Sequence, residues 1–216
     1  MASISAGPLR ILFDTSAILD LFARWTDDHR QRRGDMIREV ELLRPLSPFL
    51  YSTEPIRDEI RRQTSIAGEL SRYIHFESVG DLGAVDASRF PRSRWADLSL
   101  TALARRMESS ECRVFILTKD RTFVEDLRRM DCHARIVPPT GFAEAITVIS
   151  RPGSRSEQLA HQLQNNAFVN ISRDMQIVKK EQGEAAYSDW QTFLNSRTPD
   201  RHELIEAVRE TRVRLD

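Results

Sequence analysis

Four acidic residues stand where their carboxylates could act together: Asp14, Glu59, Asp97 and Asp120. Asp14 and Asp120 each follow a short apolar run that predicts a buried strand. Glu59 and Asp97 lie at helical spacing from apolar residues, on the face that a helix would bury. A buried carboxylate is costly unless it is paired or bound to a metal. The four acids, with the hydroxyl of Thr118 beside them, therefore define the candidate site.

The elements that must position these acids alternate between strand and helix along the first 150 residues. Apolar runs predict strands at Leu9–Phe13, Phe49–Tyr51, Tyr73–Val79, Val114–Leu117 and Ala134–Val137. Alternation of strands with helices is typical of a parallel sheet. Such sheets place their ligands at the carboxyl ends of the strands. The predicted fold is an α/β/α sandwich with a parallel sheet of four or five strands.

A cluster of helix breakers, Arg151–Ser154, predicts a boundary after residue 150. We interpret residues 1–150 as one α/β domain and residues 151–216 as a helical extension with three segments. The apolar residues of the extension, including Trp190, are expected to pack in a core. A helix that docks on a second copy of the chain or on a partner protein would show the same pattern.

The chemistry that four neighbouring carboxylates suit is the binding of a divalent cation. Such carboxylates repel one another and raise one another's pKa values, and a cation removes that repulsion. Oxygen ligands favour Mg²⁺ or Mn²⁺ over zinc. With one or two of these ions, a site can activate water for hydrolysis of a phosphodiester.

Four motifs, taken in order, make the sequence resemble a PIN-domain ribonuclease. They are FDTS at Phe13–Ser16, IRDE at Ile56–Glu59, DLSLTALA at Asp97–Ala104 and LTKDRTF at Leu117–Phe123. The resemblance covers about residues 9–149 and implies the PIN-like form of the α/β/α sandwich.

The resemblance also implies roles for single residues. Asp14, Glu59, Asp97 and Asp120 become metal ligands of a catalytic site, and Thr118 positions a ligand or a water. The implied activity is an endoribonuclease that cuts single-stranded RNA with Mg²⁺ or Mn²⁺. Many small members are toxins of toxin–antitoxin pairs, so a toxin-type nuclease with an inhibitor protein is one expectation. The compact toxin pattern does not include residues 151–216.

Each site residue also has a structural interpretation. Asp14, Asp97 and Asp120 stand where a helix N-cap would stand, and turn roles suit Asp120 as well. Glu59 would be exposed if its helix were rotated. Thr118 would serve packing alone if its hydroxyl had no ligand to position.

Two other functions fit parts of the pattern. A PIN-like module that binds RNA or protein without catalysis would keep the fold and need not bring the acids together. A phosphatase that forms an aspartyl phosphate resembles D-x-D at the first strand. Ser16 stands where that motif needs its second acid, which disfavours the phosphatase.

Charge gives no general sign of a nucleic-acid or membrane partner, because 32 basic residues balance 32 acidic ones. The stretch Arg89–Trp95 mixes arginines with aromatics just before Asp97. Arginines on phosphates and aromatics on bases would bind RNA there. The alternative is a charged surface loop with one buried Trp.

The cellular compartment is predicted from the lack of a signal peptide, of a membrane span and of a zinc-type cysteine pattern. The N-terminal stretch has no long apolar core of a signal peptide, and no apolar run approaches the roughly 20 residues that span a bilayer. Cys112 and Cys132 have no zinc-type spacing, so we interpret both as buried thiols in a reducing compartment. These features predict a cytoplasmic protein that does not contact a membrane.

Overall fold

The computed structural model describes residues 7–22, 37–78, 80 and 94–215, and a five-stranded sheet lies at its centre. The strands are β1 (Leu9–Phe13), β2 (Leu50–Thr53), β3 (His75–Glu77), β4 (Arg113–Leu117) and β5 (Arg135–Val137). Neighbouring strands are all parallel, in the order β3-β2-β1-β4-β5. The predicted α/β class with a parallel sheet is confirmed, and the sheet has five strands.

Helices connect the strands and cover both faces of the sheet. They are α1 (Thr15–Phe22), α2 (Glu54–Gln63), α3 (Ala67–Leu70), α4 (Trp95–Glu108), α5 (Arg121–Arg129) and α6 (Pro139–Ile149). Residues 37–41 are also helical, and a 3-10 helix, Arg44–Phe49, leads into β2. Because crossovers between parallel strands are right-handed, α1 and α2 lie on one face and α4 and α5 on the other. Helix α6 contacts α1 and lies on the same face.

The two central strands bring the first and fourth strand ends together. Phe13 of β1 pairs with Leu117 of β4 at the carboxyl edge of the sheet. Nearly all side chains of both strands are buried, as expected for strands covered on both faces. The backbone N–H of Asp14 donates to the carbonyl of Leu117 at 3.2 Å. Asp14 and Thr118 therefore lie side by side immediately beyond the paired strands.

The three predicted helices of the extension are present as α7 (Arg155–Gln182), α8 (Glu184–Asn195) and α9 (Thr198–Glu210). Helix α7 contacts α6 and α1, while α9 contacts α6 and β5. Apolar side chains of the extension belong to the same hydrophobic cluster as the sheet, among them Ala160, Leu163, Ala167, Leu204 and Val208. The extension therefore completes the core of the α/β fold.

Helix α9 and the segment after it cover one end of the sheet. Asp200 of α9 accepts a hydrogen bond from the backbone N–H of Ile136 in β5, at 3.2 Å. Beyond α9, the carbonyl of Leu215 accepts from the N–H of Arg151 at 2.7 Å, and its N–H donates to Ile149 at 3.1 Å. Asp200 thereby satisfies one backbone donor of the edge strand β5, and Leu215 is joined to the end of α6.

Both cysteines are free thiols, but only one is buried as expected. Cys132 is buried, and that burial raises the pKa of its thiol to about 11. Cys112 is only half-buried, because it lies in the turn that precedes β4. Within the described ranges, no helix has the length and apolarity that a membrane span requires.

The shared core predicts that a truncation within the extension destabilises the whole fold. Leu163→Ala should lower the free energy of unfolding by about 2–5 kcal/mol, because it removes buried atoms and leaves a cavity. Phe168→Ala is the matched control on the same helix, since its side chain is 63% exposed. Its effect should stay within about 0.5 kcal/mol. Urea denaturation measures both, and equally small effects would contradict the shared core.

Candidate functional site

Asp14 is the most strongly held of the four acids. Its side chain is only 5% exposed, and its Oδ2 accepts hydrogen bonds from Ser16 Oγ at 2.6 Å and Thr118 Oγ1 at 2.8 Å. Burial raises the pKa of Asp14, and the negative charge of Asp120 adds to that rise. The hydrogen bonds from both hydroxyls and from the Thr15 backbone oppose it. The carboxylate is therefore fixed by three donors in a place that disfavours its charge.

Asp14 also stands at the start of α1, where its backbone carbonyl accepts the N–H of Ile18 at 3.2 Å. The backbone of Asp14 therefore occupies the position of an N-cap of α1. The carboxylate itself extends across the strand ends to Thr118. The backbone of Asp14 therefore contacts α1, its side chain also contacts the end of β4, and its role as a metal ligand stays a prediction.

Glu59 lies on α2 between two fully buried residues, Ile56 and Ile60. It is half-buried, and its Oε2 accepts a hydrogen bond from Thr15 Oγ1 at 2.7 Å. Its neighbour Asp58 is exposed and pairs with an arginine on the same helix. The predicted orientation of α2 is confirmed. The hydrogen bond joins Glu59 to Thr15, which directly follows Asp14 in the chain.

Asp97 lies in the first turn of α4 and is half-buried. The helix begins at Trp95, and Arg94 occupies the N-cap position. The alternative that Asp97 is the N-cap is therefore wrong. The helix begins two residues earlier than the sequence pattern predicts, so Asp97 lies within its first turn.

The pKa of Asp97 depends on the charged groups that surround its carboxyl group. The pKa rises from its ordinary value of 3.8 to about 7. Burial is the largest cause, followed by the negative charges of Asp14, Asp120 and Glu59, while Arg94 opposes the rise. The four predicted acids therefore share one electrostatic environment at the carboxyl edge of the sheet.

Asp120 is exposed and has a structural task of its own. It is the N-cap of α5, where its Oδ1 accepts the N–H of Phe123 at 3.1 Å. Its own backbone N–H donates to Thr118 Oγ1 at 3.0 Å. The capping interpretation of Asp120 is confirmed. Thr118 is fully buried and joins Asp14 to this cap, so its role extends beyond packing.

The four acids are neighbours, but they do not form a ready-made set of ligands. Among the residues that the structure describes, no group of three or more His, Cys, Asp or Glu side chains is arranged to hold a metal ion. Charges influence one another over longer distances than metal coordination allows. The other three carboxylates can therefore raise the pKa of Asp97 without lying close enough to share one ion with it. The donor chemistry, entirely of oxygen, fits Mg²⁺ or Mn²⁺.

Buried hydroxyls, which the sequence did not single out for the site, tie its elements together. Ser52 Oγ donates to the carbonyl of Phe13 at 2.8 Å. Thr53 Oγ1 and Ser99 Oγ lie 2.6 Å apart, and Ser99 can donate to the carbonyl of Ala96 at 2.7 Å. The ends of β1 and β2 are thereby joined to the start of α4. The hydroxyls of Ser52 and Thr53 in β2 are visible in the sequence, but their partners are distant in the chain.

Lys119 connects the site loop to the helical extension. Its Nζ donates to Asp20 Oδ1 of α1 at 2.6 Å and also pairs with Asp174 of α7. The indole N–H of Trp190, on α8, donates to the backbone carbonyl of Lys119 at 3.1 Å. Helices α7 and α8 therefore hold the loop that carries two of the predicted site residues.

Asp20 is a buried acid that sequence reasoning missed, because the run around it predicts only an apolar helix. It is 3% exposed, and its Oδ2 has no hydrogen-bond partner among the described residues. Burial raises the pKa of Asp20 to about 6, and the charge of Lys119 opposes that rise. Lys119 is thus the cation that makes this buried carboxylate tolerable.

The arginine-rich stretch before Asp97 is placed only in part, since residues 89–93 lie outside the described ranges. Arg94 pairs with Asp126 of α5. Trp95 is 43% exposed, so the expectation of a buried Trp in this stretch is wrong. The indole is exposed because it stands at the first position of α4, two residues before Asp97.

Comparison of the chain with protein-family models, curated proteins and solved structures found no match. The fold and the site nevertheless define a class of architecture. It is an α/β protein with five parallel strands, three C-terminal helices, and acids clustered at the carboxyl edge of the sheet.

Removing the cation beside Asp20 should destabilise the fold in a pH-dependent way. Lys119→Gln should cost roughly 3 kcal/mol at pH 8, because it leaves a buried carboxylate without its partner. A carboxyl group whose folded pKa is raised makes the fold more stable as pH falls through that pKa. The deficit relative to wild type should therefore shrink between pH 8 and pH 5.

Lys179→Gln is the control for this prediction, because Lys179 forms an exposed ion pair with Glu184 at 2.8 Å. Its cost should be at most about 1 kcal/mol at either pH. Urea denaturation at both pH values measures the two variants. A Lys119→Gln deficit that is the same at pH 5 and pH 8 would contradict the role assigned to Asp20.

Proposed function

We propose that the chain is a metal-dependent endoribonuclease of the PIN type, which hydrolyses phosphodiester bonds of single-stranded RNA. The observation that carries the proposal is the pKa of Asp97, raised to about 7 by burial and by three other carboxylates. Carboxyl groups perturbed by like charges at one edge of a parallel sheet are typical of functional sites. The four motifs of the PIN resemblance supply these acids.

In this proposal Asp14, Glu59, Asp97 and Asp120 would hold Mg²⁺ or Mn²⁺. When bound, such an ion neutralises charge at the phosphate and lowers the pKa of a coordinated water. Binding of a cation would also remove the repulsion that contributes to the raised pKa values of Asp14 and Asp97. This gain offsets the cost of keeping them together at a buried edge.

The chain's own contacts prepare its ligands for this role. The hydroxyls of Ser16 and Thr118 donate to one oxygen of Asp14 and fix the orientation of its carboxylate. Thr15 does the same for Glu59. Asp97, with its pKa raised to about 7, must lose its proton before it can serve as a ligand.

An exposed aromatic beside the acids supports RNA as the substrate. Trp95 is 43% exposed and lies at the start of the helix that carries Asp97. Aromatic side chains stack on the splayed bases of single-stranded RNA. A base stacked there would bring the adjoining phosphate towards the acidic edge of the sheet.

Cleavage of a mixed pool of structured and unstructured RNA, with Mn²⁺, Mg²⁺ or EDTA, tests the proposal. We expect metal-dependent cleavage that falls about 100-fold or more in Asp14→Asn and in Asp97→Asn, because each removes a carboxylate of the reaction site. Asp58→Asn is the control, since Asp58 is exposed beside Glu59 on α2. Activity that persists in EDTA or in both site variants would reject the assignment.

The pKa of Asp97 predicts how cation binding depends on pH. A ligand must lose its proton before it binds a cation, so the affinity for Mn²⁺ should rise as pH increases through about 7 and then level off. Calorimetry in buffers of different ionisation enthalpy should detect proton release at pH 6 that disappears by pH 8. Asp97→Asn should weaken binding and flatten this pH dependence.

A second candidate is a PIN-like module that binds RNA or protein without catalysis. It is favoured by the lack of a ready-made ligand set among the described residues. Binding of RNA by the folded protein without cleavage with any metal ion would favour this function over the nuclease.

Two kinds of protein partner fit the proposal. A toxin-type nuclease would bind an inhibitor protein, and a homo-oligomer would form with a second copy of the chain. The exposed Phe168 and Val169 of α7 offer either partner an apolar contact.

A further inference from the structure

A cavity of about 500 Å³ lies at the opposite pole of the molecule from the four acids. Its walls come from the helical residues 37–41, the 3-10 helix before β2, the start of α7 and the C-terminal segment around Leu215. These segments adjoin the amino ends of the strands, because the 3-10 helix leads into β2 and α6 ends where Leu215 pairs. The cavity is therefore separate from the acidic edge.

The charge of this cavity differs sharply from the neutral balance of the whole chain. Four arginines line it, Arg38, Arg44, Arg155 and Arg214, against one acid among the described lining residues, Glu41. The cavity also adjoins the first turn of α7, where Ser154 caps the helix and Glu157 offsets part of the positive end of the dipole. Like charges that converge on a concave surface create a positive potential that attracts anions.

Two of these guanidinium groups lack the partners that arginines find elsewhere in the fold. Among the described residues, no carboxylate lies within ion-pair distance of Arg155 or Arg214, and Arg214 donates only to the carbonyl of its neighbour Val213. By contrast, arginines of α2, α5 and β5 pair with nearby acids. Arg44 contacts the hydroxyl of Tyr73 at 3.5 Å. Arg155 and Arg214 are thus available to an anion from solution.

We propose that this cavity binds a small organic phosphate. Arginine guanidinium groups recognise phosphate through paired hydrogen bonds. The volume of about 500 Å³ falls within the range of small-ligand sites. Leu42, Leu159 and Pro45 contribute apolar lining, which suits an ester with an apolar or aromatic group better than free phosphate.

The proposal stands independently of the nuclease, because no residue of the cavity belongs to the acidic edge. The same chemistry has two sources, a free nucleotide and the phosphate at the 5′ end of an RNA. Arginines confined to one concavity fit a single phosphate group or a short chain of them. An extended strand would instead require a continuous basic groove.

Calorimetric titration of the full chain in EDTA tests the proposal, since EDTA excludes binding through a metal at the acidic edge. The probes are ATP, AMP, adenosine, and a short RNA with either a 5′-phosphate or a 5′-hydroxyl. We expect ATP or AMP to bind and adenosine not to bind. Binding only of the 5′-phosphorylated RNA would support the phosphate site and identify an RNA end as its source.

The variant Arg155→Gln with Arg214→Gln should weaken phosphate binding at least tenfold. Arg128→Gln is the matched control, because Arg128 is exposed on α5 and forms no ion pair among the described residues. It should bind as the wild type does. Thermal unfolding checks that all variants are folded. Absence of phosphate binding at millimolar concentration, or unchanged binding by the folded double variant, would overturn the proposal.

Discussion

The buried carboxylate of Asp14 is the constraint around which this molecule is organised. It lies at the end of the central strand β1, where hydroxyls from α1 and from the end of β4 donate to it. Its charge is disfavoured by burial, so these donors must be held in place by the elements that carry them. The pairing of β1 with β4 and the cap of α5 meet this requirement together.

The C-terminal helices contribute to the same edge from outside the sheet. Lys119 stands in the loop after β4 and pairs with acids of α1 and α7, while α8 holds its backbone through Trp190. The extension therefore stabilises the loop that carries Thr118 and also completes the hydrophobic core. A fold that assembles mutually repelling acids needs such support, because the acids themselves oppose its stability.

Overall neutrality conceals a separation of charge between the two ends of the sheet. Acids gather at the carboxyl ends of the strands, and four arginines line a cavity near the amino ends. An ion pair between these groups would cancel both potentials, but the sheet keeps them apart. Net charge was therefore a poor guide to the local distribution of charge in this chain.

The sequence by itself determined the class of fold and the set of acids. Local spacing encodes the faces of elements, so it identified the five strands and the buried stripe that orients Glu59. Only the tertiary structure decided the exposure of Trp95 and the contacts of Lys119. Lys119 and Trp190 are 71 residues apart, and no local pattern records which distant groups meet when helices pack on a sheet.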